Sequence, residues 1–291
     1  MNPNFVNKAN YRFNTYHPTD IVKFDKATAL ELKFEYIINS IIYGLNEFDK
    51  AKASQHTDKE HSRSPRMIFQ EQVIGKLGEY ATCSYLKNVL CYSIKEPDIT
   101  AYDHGKWDTS DLEVPISNGK VENWQIKTAK LWYAQFLLLE KNNYTTDGKY
   151  RYSYGKSVPF RFNIFIFQRI FYDHLIDNLG EYFFDSFKNP IWNRINSNKS
   201  FQSLSQTLTD KLSLQVSVKY EKFYFVTDRE LQNAITYHHI MYKYDKYGKR
   251  NNFSASSDCN KTNNNHLQDD NYYIQIADMH LADELTNYRS N

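Results

Sequence analysis

Asp111, Gln125 and Lys127 are the residues of this chain whose types and spacing suit chemistry at an anion. A carboxylate and an amide carbonyl are hard oxygen donors of the kind Mg²⁺ takes. An ammonium beside such an ion can position or deprotonate a water, or stabilise anionic charge as it develops. The apolar pattern around them decides whether the three groups meet. Leu112, Val114 and Ile116 alternate with polar residues, Ser117-Asn118-Gly119 follows, and a second alternation runs through Trp124 and Ile126. Alternation on both sides of an Asn-Gly pair signals a β-hairpin. If Leu112, Val114, Trp124 and Ile126 share one core face, even-numbered residues pair with even-numbered ones, because cross-strand partners point the same way. That pairing requires an odd loop, and Ser117-Asn118-Gly119 with a left-handed Gly119 supplies three residues. Asp111 then lies opposite Gln125, with Lys127 one diagonal step away on the same face. A two-residue turn would put Asp111 and Lys127 on opposite faces.

The element that must back this hairpin is a helix beginning near Ser64. Ser64 suits the N-cap and Pro65 the first helical position. Met67, Phe69, Val73, Leu77, Tyr80 and Ala81 follow in helical phase, to about Lys87. Gly75 and Gly78 inside it each cost about 1 kcal/mol relative to Ala. Their presence makes sense if the helix backbone lies close against a sheet. Glu79 follows directly, in Gly75-Lys76-Leu77-Gly78-Glu79. The Gly-Lys pair is not a phosphate loop, because the Gly-Lys-Ser/Thr ending is missing.

The helix with Glu79, then Thr109-Ser110-Asp111-Leu112, then Trp124-Gln125-Ile126-Lys127-Thr128, resembles the PD-(D/E)XK nuclease superfamily in a QxK variant. The resemblance covers about Arg66 to Thr128. It implies a restriction-endonuclease-like α/β core, a central mixed β-sheet flanked by helices, with C-terminal elaborations. It implies Mg²⁺-dependent hydrolysis of DNA phosphodiester bonds, of the type II restriction kind, on double-stranded DNA and by a homodimer. Asp111 would be the principal metal ligand, Gln125 a neutral ligand through its oxygen, and Lys127 the residue that orients water or stabilises charge. Glu79 would be an outer or second-metal ligand. Gln125 departs from the usual acid at its position and brings no negative charge, which lowers metal affinity. Glu113 or Glu79 is the candidate source of the missing charge, and Asp98, after Pro97, is a second candidate for the first acid. Two other readings stand beside this one. One is a repair, recombination or phage-defence nuclease of the same fold. The other is an inactive nucleic-acid-binding module. The plain structural alternative is an amphipathic hairpin with a solvated outer face, where an Asp111–Lys127 pair contributes under about 1 kcal/mol.

Around this core the chain reads as one α/β domain over 1–291, with the core at about 64–230 and 1–63 a helical extension. Apolar residues at helical spacing predict a helix over 27–46. Val89–Ile94 suggests a short strand, and 129–140 fits helix or strand equally. Phe160–Tyr172 is a nearly continuous apolar run, expected as a central strand buried on both faces. Residues 174–212 read as mostly helical. Leu214–Val226 predicts another strand, Thr227 or Asp228 caps a helix to about Met241, and Tyr272–Ile276 predicts a last strand. The tail from His280 to Leu285 reads as helical turns.

The formal net charge is only +2, so nucleic-acid contact must come from local patches rather than a global basic field. Two segments mix cations with aromatics: Lys149, Arg151, Tyr152 and Lys156, and Lys243, Lys246, Lys249 and Arg250. Such segments suit phosphate contact and base stacking, or form ordinary solvated loops. His238-His239 reads as helix-terminal charge or core packing. Three cysteines without metal-like spacing indicate reduced thiols and a cytoplasmic protein. No apolar run is long enough for a membrane span.

Overall fold

The computed structural model describes residues 21–54, 65–99, 110–116, 119–129, 134–151, 160–173, 176, 179, 201–212, 216–241 and 270–289. In chain order the elements are β1 (Leu30–Glu31), α1 (Phe34–Ser54), α2 (Pro65–Asn88), β2 (Leu112–Pro115), β3 (Val121–Ala129), β4 (Phe136–Glu140), β5 (Ile164–Tyr172) and α3 (Phe201–Leu212). They continue with β6 (Val218–Tyr220), β7 (Tyr224–Thr227), α4 (Asp228–Thr236), β8 (Ile240–Met241), β9 (Asn271–Gln275), β10 (His280–Leu281) and α5 (Leu285–Arg289).

β5 is the centre of the larger sheet, as its apolar run predicts. Residues 164–170 are all buried. One edge of β5 pairs parallel with β3, and β3 pairs antiparallel with β2. Its other edge pairs antiparallel with β7 along Ile164–Phe167 and with β6 along Ile170–Tyr172. β1 extends β6, and β10 extends β7. β4, β9 and β8 form a second, antiparallel sheet. The fold is therefore mixed α/β, with a mostly antiparallel sheet flanked by helices.

Two cores cover the two faces of the larger sheet. On one face Leu112, Val114, Trp124, Ile126, Ile164 and Ile166 pack with the buried side chains of α1 and α2. On the other, Ala129, Phe165, Phe167 and Val226 pack with Leu231, Ala234 and Ile235 of α4 and with Leu137, Leu139, Tyr272 and Ile274 of the second sheet. Among the described residues no helix is long and apolar enough to cross a membrane. Cys83 is buried and Cys91 exposed, both as free thiols, and burial pushes the Cys83 thiol up to about 11.

Several elements differ from the local pattern. The helix expected over 27–46 starts at Phe34, because Leu30 and Glu31 pair with Tyr220 and Lys219 instead. Val89–Ile94 is not a strand: Cys91 takes a left-handed φ of 58°, and the Tyr92 N–H donates back to the Leu86 carbonyl at 2.8 Å, closing the end of α2. The span 129–140, open between helix and strand, holds the end of β3 and all of β4. The strand expected over Leu214–Val226 is split into β6 and β7, and Glu221 between them turns its carboxylate to Arg169. The helix expected to reach Met241 ends at Thr236, and His238 follows with φ 54°. Its start is as expected: Thr227 accepts from Glu230 N at 3.3 Å, and Glu230 accepts from Thr227 N at 2.8 Å. His280–Leu281, expected as helix, is a strand, with α5 beginning at Leu285. Ser64 and most of 174–200 lie outside the described residues.

Candidate active site

The hairpin takes the register its apolar pattern predicts. Leu112 pairs with Trp124 and Val114 with Glu122. The Ile116 N–H donates to the Lys120 carbonyl at 2.8 Å, so the ladder continues to this pair and three residues of chain separate its two ends. Gly119 has φ 70°, a conformation that glycine adopts without a side-chain penalty. Trp124, Leu112, Val114 and Ile126 are buried, and full burial of such side chains contributes roughly 1.5–3 kcal/mol each. A one-residue slip would turn all of them to the wrong face, so the register is strongly specified.

Helix α2 is pressed onto β3 at a single close approach. A Cβ built on Gly78 would stand 1.8 Å from Thr128 Oγ1, and the Thr128 hydroxyl donates to the Gly75 carbonyl at 3.2 Å. This contact brings the helix residues after Gly75 to the end of the hairpin.

Asp111 stands one residue before β2, and continuing the ladder puts it opposite Gln125. Its carboxylate lies at the end of the ladder, where Asp111 Oδ2 accepts from the Ile126 N–H at 2.6 Å in place of a strand carbonyl. Burial raises the Asp111 carboxyl above its ordinary range. Lys127, the Ile126 N–H and Lys76 pull it back down, in that order. Asp111 therefore feels an ammonium from β3 and another from α2.

Gln125 is buried, so the polar face of the hairpin is not the solvated surface that a bare amphipathic pattern would give. Tyr144 covers it from the second core, and its hydroxyl donates to Gln125 Oε1 at 2.6 Å. Burial, then Tyr150 and Asp111, push the Tyr144 hydroxyl well above its ordinary range, which keeps it a donor.

On α2, Lys76 is buried. Its Nζ donates to Glu79 Oε2 at 2.5 Å and to the Asp98 carbonyl at 2.8 Å, and lies 4.2 Å from the centroid of the Tyr43 ring. Glu79 thus reaches the corner as the partner of Lys76. Asp98 reaches it through its backbone, with the residue itself exposed. Glu113 is exposed on β2.

A resident Mg²⁺ can be tested against these donors. Mg²⁺ is usually held by one or two carboxylates together with waters and substrate phosphates. Asp111 offers a carboxylate, and Gln125 Oε1 has a second lone pair beside the one Tyr144 uses. Both are oxygen donors of the type Mg²⁺ takes, and each already accepts one hydrogen bond within the protein. Among the described residues no group of three or more His, Cys, Asp and Glu is arranged to hold a metal.

The expected basic patch divides differently. Lys149 Nζ is paired with Asp147 Oδ2 at 2.8 Å, and Arg161 reaches the same carboxylate at 3.8 Å and Asp228 at 3.5 Å. Lys149 and Thr145 hold the Asp147 carboxyl down at about 2. Lys149 is thus engaged with an acid on the surface. Arg151 is exposed. Tyr152, Lys156, Lys243, Lys246, Lys249 and Arg250 lie outside the described residues. His239 stacks on Tyr273 with centroids 5.7 Å apart, and burial lowers its pKa, in line with core packing.

Lys76 and Tyr144 are absent from the candidate set read from sequence. Lys76 had a local signal, its i,i+3 spacing to Glu79 between two helical glycines. Tyr144 had none, because only the second sheet brings it over Gln125. No protein-family model, curated protein or solved structure matches the chain.

Proposed function

We propose that this chain is a Mg²⁺-dependent endonuclease with a restriction-endonuclease-like core, hydrolysing DNA phosphodiester bonds at the corner where α2 meets the hairpin. The observation that carries the reading is Asp111: a desolvated carboxylate at the end of β2, beside Gln125, with Lys127 and Lys76 within electrostatic reach. A carboxylate in such surroundings costs stability, and perturbed acids with specific charge partners concentrate at functional sites. In this reading Asp111 and Gln125 hold the ion, which polarises the phosphate and acidifies a water when bound. Lys127 orients that water or stabilises charge on the phosphate oxygens. Tyr144 fixes the Gln125 amide so that its oxygen faces the ion. Double-stranded DNA as substrate, a type II restriction activity, a homodimer and a cytoplasmic location are parts of the same proposal.

Incubation of supercoiled plasmid with the full chain and Mg²⁺ tests it. Wild type should nick or linearise the DNA, and Lys127→Ala and Asp111→Ala should not. Intact DNA across a range of Mg²⁺ and Mn²⁺ concentrations would remove the enzyme reading. Discrete bands would favour restriction, and a smear would favour a repair or phage-defence nuclease of the same fold.

A second reading, an inactive nucleic-acid-binding module, is favoured by the charge balance at the corner. The carboxylates Asp111 and Glu79 are formally matched by the ammoniums of Lys76 and Lys127. In that case the chain would retain DNA in a salt-dependent mobility shift without cleaving it.

A further inference from the structure

We infer that residues 22–25 lie in a segment-recognition groove, and that the groove also takes the same segment from a second copy of this chain. Both hold whether or not the chain cuts DNA. The side chains of 22–25 alternate as in an extended peptide. Lys23 and Asp25 are exposed, whereas Val22 packs on the core between the two sheets and Phe24 is buried, its ring centroid 6.3 Å from that of Phe171. The backbone of the segment is bonded by side chains. The Val22 N–H donates to Gln135 Oε1 at 2.9 Å. The Val22 carbonyl accepts from Gln135 Nε2 at 3.0 Å and from Arg169 Nη1 at 2.8 Å. Glu221 holds the Arg169 guanidinium from its other side. The walls of the groove thus come from the approach to β4, from β5 and from the β6–β7 break. Main-chain bonds give affinity for an extended segment, and pockets under alternate residues select its side chains.

The segment ends in an exposed turn that closes on itself. The Asp25 carboxylate accepts from the Ala27 N–H at 2.9 Å and from the Thr28 hydroxyl at 2.8 Å. The next anchors are Leu30 and Glu31, paired with β6. This turn is the hinge: swinging 22–24 outward breaks none of its own bonds and leaves β1 and α1 in place. A second copy carries the same groove and the same segment. Exchange between two copies remakes every bond, and a two-fold axis closes the pair because each copy gives one segment and takes one. Tethering favours the chain's own segment in dilute solution, since a short linker holds it at an effective concentration on the order of millimolar.

A fluorescent peptide of residues 18–29, followed by anisotropy, tests the groove. The full chain with Phe24→Asp loses its own occupant and should bind the peptide at least about tenfold more tightly than wild type, whose groove is filled. Adding Gln135→Ala should abolish that gain. Sedimentation of two full chains, one with Phe24→Asp and one with Gln135→Ala, tests the partner. The first keeps an open groove, and the second keeps an intact segment. Their mixture should form a one-to-one complex beyond what either forms alone. A folded Phe24→Asp that binds the peptide no better than wild type would overturn the groove, as would a gain that survives Gln135→Ala. Peptide binding without association of the two chains would overturn the second copy as partner. If Phe24→Asp does not fold, Phe24→Ala takes its place in both experiments. Failure of both to fold would make the segment a fixed part of the core and overturn the inference.

Discussion

Two of the buried polar clusters on this sheet, at Arg169 and at the α2–hairpin corner, are built on opposite plans. Arg169 on β5 is fully buried and bonds the Glu221 carboxylate directly. It also donates to the Val22 carbonyl at 2.8 Å, and its guanidinium lies 5.5 Å from the Tyr224 ring centroid and 5.8 Å from that of Phe24. Burial raises the Glu221 carboxyl, and Arg169 lowers it again. Here each charge has its opposite in hand, and the pair ties the N-terminal segment and the β6–β7 break to the central strand. At the α2–hairpin corner Glu79 has Lys76 as its partner, but Asp111 has no ammonium bonded to it. Asp111 bonds a backbone N–H and only feels Lys127 and Lys76, while Lys76 bonds Glu79 and a carbonyl. A closed pair is architecture. A carboxylate such as Asp111, which bonds a backbone N–H and has its cations only at a distance, is where the proposed function would bring in an outside cation.

The largest expected effect is on catalysis. Removing a group that assists proton transfer or stabilises charge typically costs 10²-fold or more. Lys127→Ala and Asp111→Asn should each lower plasmid cleavage by at least about 100-fold while far-ultraviolet circular dichroism stays unchanged. Arg169→Ala should leave cleavage intact at temperatures where it stays folded. Loss of cleavage there would break the contrast between the two clusters.

Stability should respond in the reverse sense. Arg169→Ala leaves Glu221 buried without its partner and should cost about 3–5 kcal/mol in urea unfolding. Replacing both residues with apolar ones of similar size should recover most of that loss. If the double replacement is as unstable as the single one, the pair does more than close its own charge.

The two glycines of α2 sharpen the comparison further, because a side chain added at one would strike Thr128 of β3 and at the other would meet open space. Gly78→Ala would force the helix off Thr128, and overpacking of this kind costs about 1–3 kcal/mol. It should also reduce cleavage, by moving Lys76 and Glu79. Nothing stands within 4 Å of a Cβ at Gly75, so Gly75→Ala should raise stability by up to about 1 kcal/mol through helix propensity alone. Thermal melts of the two variants check both signs.

The smallest effect is read from the shape of a pH curve. Burial raises the Asp111 carboxyl, so the folded chain holds that proton more tightly than the unfolded chain does. The ionised group therefore costs stability once the pH exceeds its raised titration range, and the cost fades as pH falls through that range towards 3.8. Asp111→Asn should be more stable than wild type at neutral pH, with the difference shrinking in acid. Asp147 has the opposite sign. Its carboxyl is held at about 2, so its contribution is present above 3.8 and is lost between 3.8 and about 2.

The alternation of Leu112 and Val114 with Trp124 and Ile126 determined by itself the hairpin, its odd loop and its register, because a side-chain period of two allows one burying alignment. The run Phe160–Tyr172 likewise determined the central strand, which forms over Ile164–Tyr172, and Pro65 with its apolar stripe determined α2. What local pattern could not decide was partner choice. Leu30 and Leu32 read as part of a helix until Tyr220 and Val218 claimed the backbone of that segment, and Leu214–Val226 read as one strand until Glu221 turned to Arg169. The site divides in the same way. Asp111, Gln125 and Lys127 were legible because one hairpin carries all three. Lys76 and Tyr144 were not, because their roles depend on α2 meeting β3 at Gly78 and on the second sheet closing over Gln125. Those contacts join residues far apart in the chain, and only the packed tertiary structure brings them together.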